Sequence, residues 1–341
     1  MRRLFPVVVL VLLTIASIAI AAQTPAAGPY KILKTAKVGG AGGFDYVYAD
    51  SANRRLYIPR SGQGARVTVF DLDTLAPVGE IPNTSARGAT VDPKSNHGFS
   101  SSKPVAMWDA KTLQVIKTID VQGNPDGILF DPFNQRVYVF SHVAPHATVI
   151  NTVDGTVAGT IDLGGAPEQA VTDGAGHVYV DIEDKENVAV IDARTMMVTN
   201  HYDLTGKGGT CAGLAIDNKN HVLFAACRNP ANMVMLNAAD GKILGTLPLG
   251  AGTDGAVFNP ATMEAFSSQG DGTLTIIKEN SPASFVVQQT LQTMVSGKTL
   301  SFDPKTNHLF VIAAEYGAAA PGARGRGPMV ADSFSILVVG K

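Results

Sequence analysis

Charged side chains recur at one fixed place along this sequence, five residues before the Asp or Asn that ends each of seven short apolar runs. They are Asp45, Arg87, Asp126, Glu168, Asp254 and Lys298, with Ala212 in the remaining copy. Only 16% of the chain is charged, so composition alone does not explain six charges at seven matched places. Clustered carboxylates can transfer protons or bind a divalent cation, and basic side chains can bind an anionic group.

A second polar set follows the next apolar run of each copy. It comprises Ser61, Lys103, His142, Glu183, Cys227, Gln269 and Ala314. From this set, Lys103, His142 and Glu183 are predicted to lie beside the first set and to bind a ligand with it. The alternative for a single residue such as Asp126 is a structural role: Pro-Asp-Gly is favourable turn chemistry, and charges at a channel mouth can simply pair with each other or with water. Turn chemistry does not explain Arg87 or Lys298 at the matching place.

Metal binding is a second use for the same residues. Asp126, His142 and Glu168 are the best candidates, since carboxylates with one imidazole can hold a divalent cation. The sequence has no closely spaced cysteine pair and no histidine pair on a predicted helix, which are the strong metal motifs. We therefore favour a ligand site without a metal, with the cofactor unknown and no catalytic residue assigned.

The elements that must position these residues form a repeat. The residues that end the apolar runs are 39 to 44 positions apart, and they are Asp50, Asp92, Asp131, Asp173, Asp217, Asn259 and Asp303. Each copy contains four short strand-like runs, such as "RVYVF", "ATVIN" and "TVAGTIDLGG", separated by turn residues. Four strands in a unit of this length are typical of a propeller blade. The sequence therefore predicts an all-β, seven-bladed β-propeller with four antiparallel strands per blade, as a single domain over residues 23–341.

The two ends of the chain are predicted to share one blade. The last copy stops after its third strand, "FSILVVGK", whereas "YKILKTAKVGG" at 30–40 precedes the first copy and matches the fourth-strand pattern. The N-terminal strand would then complete the last blade and leave no long sheet edge open. Since the first strand of each blade lines the central channel, both polar sets are predicted to surround one end of that channel, which we call the mouth.

The repeat resembles a known family. "ATVINTVDGTVAGTIDLGG" followed by "PEQAVTDGAGHVYVDI" is similar to the YVTN-type, or YncE-like, β-propeller repeat of secreted and periplasmic bacterial proteins. The tetrapeptide YVTN, which gives the family its name, is replaced in this chain by "LYIP", "VYVF", "VYVD" and "LFVI". The resemblance implies an extracytoplasmic propeller that binds a ligand or a partner.

"MWDAKT" at 107–112 is similar to the end of a WD repeat. No other copy has this Trp, so Trp108 is predicted to pack between blades.

The two cysteines are predicted to face each other. In "CAGLAIDNKNHVLFAAC", Cys211 and Cys227 lie symmetrically about the turn residue Lys219. An oxidising compartment would favour a disulfide between them. Directly opposite strand positions strain disulfide geometry, so two free thiols remain the alternative.

Residues 1–22 have the features of a secretory signal peptide. Arg2 and Arg3 precede an uncharged stretch over residues 4–20, and the small residues Ala21 and Ala22 follow. The alternative is an uncleaved anchor, because about 17 apolar residues approach the length that spans a bilayer. We expect a periplasmic or secreted protein with no other membrane contact.

Two functions of different classes are consistent with these features. The formal net charge of −2 gives no general attraction to nucleic acid. The leading prediction is a monomeric binding protein whose mouth holds a small polar ligand or a partner protein. The competing prediction is a hydrolase of lactonase type, metal-dependent or not, that uses Asp126, His142, Glu168 or Asp254 as acid–base groups or ligands.

Overall fold

A computed structural model describes residues 28–62, 64–319 and 326–341, so the predicted signal peptide lies outside the described residues. In chain order the strands are β1 (Lys31–Lys37), β2 (Tyr48–Asp50), β3 (Arg55–Arg60), β4 (Arg66–Asp71), β5 (Pro77–Pro82), β6 (Ala89–Asp92), β7 (His97–Ser100), β8 (Val105–Asp109), β9 (Val115–Ile119), β10 (Pro125–Asp131), β11 (Arg136–Ser141), β12 (Ala147–Asn151), β13 (Val157–Ile161), β14 (Pro167–Thr172), β15 (His177–Ile182), β16 (Asn187–Asp192), β17 (Met197–Asp203), β18 (Cys211–Asp217), β19 (Val222–Arg228), β20 (Ala231–Asn237), β21 (Ile243–Pro248), β22 (Thr253–Asn259), β23 (Glu264–Gln269), β24 (Thr273–Ser281), β25 (Ser284–Gln292), β26 (Thr299–Asp303), β27 (His308–Ala313) and β28 (Ser335–Gly340). In these three ranges, no helix is long and apolar enough to cross a membrane.

The strands form seven antiparallel sheets of four strands each, which are the seven blades. Blades 1 to 6 use β2–β5, β6–β9, β10–β13, β14–β17, β18–β21 and β22–β25, and blade 7 has the order β1-β28-β27-β26. The inner strands β2, β6, β10, β14, β18, β22 and β26 each contact the next, and β26 contacts β2. The predicted propeller is therefore confirmed, and the circle is closed.

The aligned Asp residues end the inner strands because their side chains cap the following turn. Asp50 is buried, and its Oδ1 accepts hydrogen bonds from the backbone N–H groups of Ala52 and Asn53 at 3.1 and 3.0 Å. Asp131 accepts a bond from the N–H of Phe133 in the same way, at 3.2 Å. A carboxylate that satisfies turn N–H groups allows a tight turn at a buried strand end. The spacing of these residues therefore reports the length of a blade.

The core is divided into seven apolar clusters, one between each pair of neighbouring blades. Trp108 is fully buried in the cluster between blades 1 and 2, where its ring lies 5.8 Å from that of Tyr57. This confirms its predicted packing role. Because each blade buries its faces only against its two neighbours, all seven inner strands must start at the same end of the channel.

The N-terminal strand completes blade 7 as predicted. β1 pairs with β28 in antiparallel register, from Lys31 with Gly340 to Lys37 with Ser335. The buried Arg60 secures the chain after β1 by donating hydrogen bonds to the carbonyls of Gly39 and Gly40, at 3.3 and 3.1 Å. The two ends of the described chain are therefore held in one sheet.

Candidate functional site

The charged positions meet at the mouth, where they form a closed circuit of contacts that we call the mouth ring. Its members are Asp45, Arg87, Asp126, His142, Glu168, Glu183, Arg228, Asp254 and Lys298. Each lies near the start of an inner strand or the end of a second strand, so the strand order of the blades places all of them at the same end of the channel. The sequence placed eight of the nine at the mouth, and their role in ligand binding stays a prediction.

Two basic side chains connect three carboxylates on one side of the ring. Arg87 Nη1 lies 3.1 Å from Asp45 Oδ2, and Arg87 Nε lies 3.1 Å from Asp126 Oδ1. Lys298 Nζ lies 3.1 Å from Asp45 Oδ1 and 2.5 Å from Asp254 Oδ2. Each of these contacts crosses a seam between blades. Asp126 is only 5% exposed, so its charge is compensated by a basic side chain more than by water.

Arg228 supplies the charge that Ala212 leaves missing in blade 5. Its Nη2 contacts the Asp254 carboxylate, its Nη1 lies 3.4 Å from Glu183 Oε2, and its Nε donates to the carbonyl of Thr253 at 2.8 Å. Sequence reasoning missed this residue. The signal was present, because Arg228 directly follows Cys227, the blade 5 member of the second polar set.

The side of the ring in blades 3 and 4 is acidic. His142 Nε2 lies 3.2 Å from Asp126 Oδ2 and 3.6 Å from Glu168 Oε1. Tyr46, which sequence reasoning also missed, donates a hydrogen bond from blade 1 to Glu168 Oε2 at 2.7 Å. Among the side chains described, Asp126, His142 and Glu168 are the one group of three whose ligating atoms all lie within 4.8 Å of one another.

Crowded carboxylates shift the proton affinities in this part of the ring. Burial, a hydrogen bond with Glu183 and the charge of Asp126 together raise the pKa of Glu168 well above its usual range. The hydrogen bond to Asp126 raises the pKa of His142. Burial also raises the pKa of Asp45, although Lys298 opposes the shift. Glu168 and His142 therefore bind a proton more tightly than an ordinary glutamate and an ordinary histidine do.

A cavity of about 230 Å³ lies beneath the ring and is lined by inner strands of six blades. Gln169 crosses it from blade 4. Its Oε1 accepts hydrogen bonds from the N–H groups of Leu214 and Ala256, at 3.1 and 2.9 Å, and its Nε2 donates to the Ala256 carbonyl at 2.9 Å. With Tyr46 reaching Glu168 from the other side, the channel is narrowed directly below the mouth.

Two polar residues near the mouth do not join the ring. Lys103 was predicted as a ligand-binding residue, but it is exposed and donates to the carbonyl of Gly123 at 3.1 Å. His146, four residues after His142, lies 2.6 Å from Asp162 through its Nδ1. The loop after β11 therefore sends one histidine into the ring and one away from it.

Cys211 and Cys227 occupy directly paired positions on β18 and β19. Their sulfur atoms are 1.99 Å apart, as in a disulfide. The bond lies beside Arg228, so it joins the two strands that carry the blade 5 part of the mouth.

Comparison with known proteins gives the fold and no family. No family model matches the chain. No curated protein sequence matches it either. Similar solved structures include the RRP9 WD40 repeats, with 11% identity over 93% of this chain and 99% of that one and a TM-score of 0.73. The structure of U3-55K is 11% identical over 92% of this chain and 99% of that one, with a TM-score of 0.73. A chain of the mitotic checkpoint complex is 12% identical over 98% of both chains, with a TM-score of 0.72. The chain is thus a seven-bladed β-propeller with WD40-like structural neighbours.

Proposed function

We propose that this protein is an extracytoplasmic propeller of the YVTN type, or YncE-like, that binds a small polar ligand at the mouth ring. One observation carries the proposal: ionisable side chains from all seven blades converge at one end of the channel. Among them, the side chains of Arg87 and His142 remain 52% and 37% exposed. Groups that are ordered by ion pairs and still accessible are suited to recognition.

The chemistry of the ring indicates the kind of ligand. Arg87 is its most exposed basic side chain, and a guanidinium can bind a carboxylate through two parallel hydrogen bonds. Glu183 is 29% exposed and can accept a hydrogen bond from a hydroxyl or amine. The cavity below, at about 230 Å³, is smaller than the roughly 300–1,000 Å³ of drug-sized ligand pockets. A small molecule with both an anionic group and hydroxyl or amine groups fits this setting best.

The extracytoplasmic location is supported by three features of the chain. The signal-type sequence at 1–22 indicates export. The register pairing of Cys211 with Cys227 suits an oxidising compartment. The YVTN-type repeat pattern is typical of such proteins.

A protein partner is the alternative occupant of the mouth. One of the WD40-like structural neighbours is a chain of a protein assembly, the mitotic checkpoint complex. At 12% identity this likeness concerns the scaffold, and it says nothing of which surface a partner would use.

Calorimetry with defined probes tests the proposal. We would titrate gluconate, malate, glutamate and glucosamine into mature protein, both as purified and after EDTA treatment, and into an Arg87→Gln variant. At least one probe should bind with one-to-one stoichiometry, and the variant should bind it at least tenfold more weakly. Arg194→Gln is the matched control, because Arg194 lies at the turn after β16, on the opposite face, where it stacks over Phe133. Equal affinity of Arg87→Gln and the parent protein, or no binding of any probe at millimolar concentration, would contradict the proposal.

The arrangement of Asp126, His142 and Glu168 favours one other function, hydrolysis of a lactone. A histidine between two carboxylates can activate water as a general base. Purified protein would be assayed with glucono-δ-lactone at constant pH, beside His142→Gln and the control His146→Gln. Loss of activity in His142→Gln alone would support a lactonase. A rate no faster than spontaneous hydrolysis would exclude this candidate for that substrate.

A further inference from the structure

The two carboxylates on either side of His142 are both held by a second side chain. Arg87 Nε contacts Asp126 Oδ1 at 3.1 Å, and the other oxygen, Oδ2, faces His142 Nε2 at 3.2 Å. Tyr46 donates to Glu168 Oε2 at 2.7 Å, and Oε1 faces the same nitrogen at 3.6 Å. Each carboxylate therefore has its outer oxygen fixed by a donor and its inner oxygen directed at one common point. Outer donors of this kind orient the carboxylate ligands of metal ions.

Two of the three separations are close to those between ligands of one metal ion. Ligands at about 2.0–2.2 Å from an ion, at angles between octahedral and tetrahedral, lie roughly 3–3.5 Å from one another. The separations of 3.2 and 3.6 Å from His142 Nε2 to the two inner oxygens are close to this range. All three ligating atoms lie within 4.8 Å of one another. An ion can therefore enter with small side-chain movements.

The basic side chains of the ring contact every ring carboxylate except one. The ring contains five carboxylates and three permanently basic side chains, and each base contacts two carboxylates. Among the described ion pairs, Glu168 is the ring carboxylate that contacts neither Arg nor Lys, and its only cationic neighbour is His142. A dication next to Glu168 would give this carboxyl the cationic partner that Arg87, Arg228 and Lys298 give to the others, without disturbing the three basic bridges.

From these contacts we infer that Asp126, His142 and Glu168 bind one divalent first-row transition-metal ion, of which Zn²⁺ is the preferred species. One imidazole and two carboxylates suit such an ion, whereas Ca²⁺ needs six to eight oxygen ligands. The exposed side of His142 leaves further coordination positions open to solvent. The inference deepens the proposed function, because an ion here would supply the mouth with a binding point for an oxygen atom of the ligand.

Metal content and affinity test the inference. Untagged mature protein would be stripped with EDTA, titrated with ZnCl₂ in a calorimeter, and analysed for bound zinc after gel filtration. We expect one ion per chain, and its loss in His142→Gln and in Glu168→Gln. Tyr46→Phe, which removes only the outer donor to Glu168, should weaken zinc binding by about 10–100-fold. His146→Gln and Asp162→Asn are the controls, because this pair is a histidine and a carboxylate in contact near the mouth but outside the ring. Neither control should change zinc binding.

Three results would overturn the inference: no stoichiometric zinc in the parent protein, zinc retained with unchanged affinity in His142→Gln and Glu168→Gln, or zinc lost equally in the controls. Circular dichroism and thermal melting of each variant separate loss of the site from loss of the fold. Zinc binding without binding of any organic probe would refute the proposed ligand and leave the metal site. Probe binding to EDTA-treated protein that fails to bind zinc would refute the metal site alone.

Discussion

Arg87 of blade 2 holds Asp126 of blade 3 across the seam between their sheets, with Nε 3.1 Å from Oδ1. Asp126 lies within β10 and is nearly inaccessible to water. Its carboxylate pairs with another charge of the mouth, as one alternative expected, and its role in ligand binding stays a prediction. Its carboxylate connects the basic and the acidic sides of the mouth ring, because Oδ2 faces His142.

Removal of the Arg87 charge should destabilise the protein through Asp126. Arg87→Met keeps an unbranched apolar stem but leaves the buried carboxylate without its guanidinium, and we expect the free energy of unfolding to fall by about 1–3 kcal/mol. In denaturant titrations, the double variant Arg87→Met/Asp126→Asn should lose less free energy of unfolding than the two single variants lose in sum. Additive losses would show that the two residues are not coupled. Arg194→Met, on the opposite face, serves as the control.

Asp181 should lower the free energy of unfolding at neutral and high pH. It is fully buried in β15, and neither carboxyl oxygen has a hydrogen-bond partner among the described residues. Burial raises its pKa well above the ordinary value. Below about pH 4 the carboxyl is protonated in both the folded and the unfolded state, and the protein has the full free energy of unfolding. This free energy falls as the pH rises towards the folded-state pKa, because the unfolded state ionises first.

Asp181→Asn cannot ionise, so the variant should become more stable than the parent as pH rises, by about 1–3 kcal/mol at pH 8. Thermal or chemical unfolding between pH 4 and pH 9 measures the difference. The exposed Asp120 provides a control, and Asp120→Asn should follow the parent at every pH. A constant difference between Asp181→Asn and the parent across this range would contradict the prediction.

Glu279 should make stability depend on pH at the seam between blades 5 and 6. It is buried, accepts a hydrogen bond from Asn220 Nδ2 at 2.8 Å, and burial raises its pKa to about 7. The protonated carboxyl contributes fully to the free energy of unfolding below the unfolded-state pKa of about 4.5, and this contribution is lost as pH rises through about 7. The total loss in the free energy of unfolding is ~3 kcal/mol. Glu279→Gln should flatten the stability profile between these pH values. An unchanged profile would show that the carboxyl titrates normally.

Cys211 and Cys227 should be bonded in protein purified without reductant. Their register pairing closes a loop with a sequence separation of 16, and a loop of this size corresponds to about 3 kcal/mol in the chain-entropy model. Alkylation of denatured, unreduced protein should detect no free thiol by mass spectrometry. Cys211→Ala/Cys227→Ala should unfold at lower denaturant concentration than the parent. Recovery of two alkylated cysteines would contradict the prediction.

The repeat, the blade number and the closure by the N-terminal strand could all be predicted from the order and spacing of the amino acids. Spacing is sufficient for this, because strand length, turn chemistry and burial against two neighbours repeat in every blade. The same spacing identified Asp45, Arg87, Asp126, Glu168, Asp254 and Lys298, since equivalent positions on equivalent strands must reach the same end of the channel.

Which of these side chains contact one another depends on the packing of the seven blades. Arg228 occupies the gap left by Ala212, and Tyr46 reaches Glu168 from a blade far away in sequence. Lys103, predicted by position, instead contacts Gly123. Sequence spacing gives the position of a residue along its strand, and therefore which end of the channel it lies near. The contact it makes depends on side-chain length, on the loop that carries it and on the angle between blades, which are set only when the seven sheets pack into a circle.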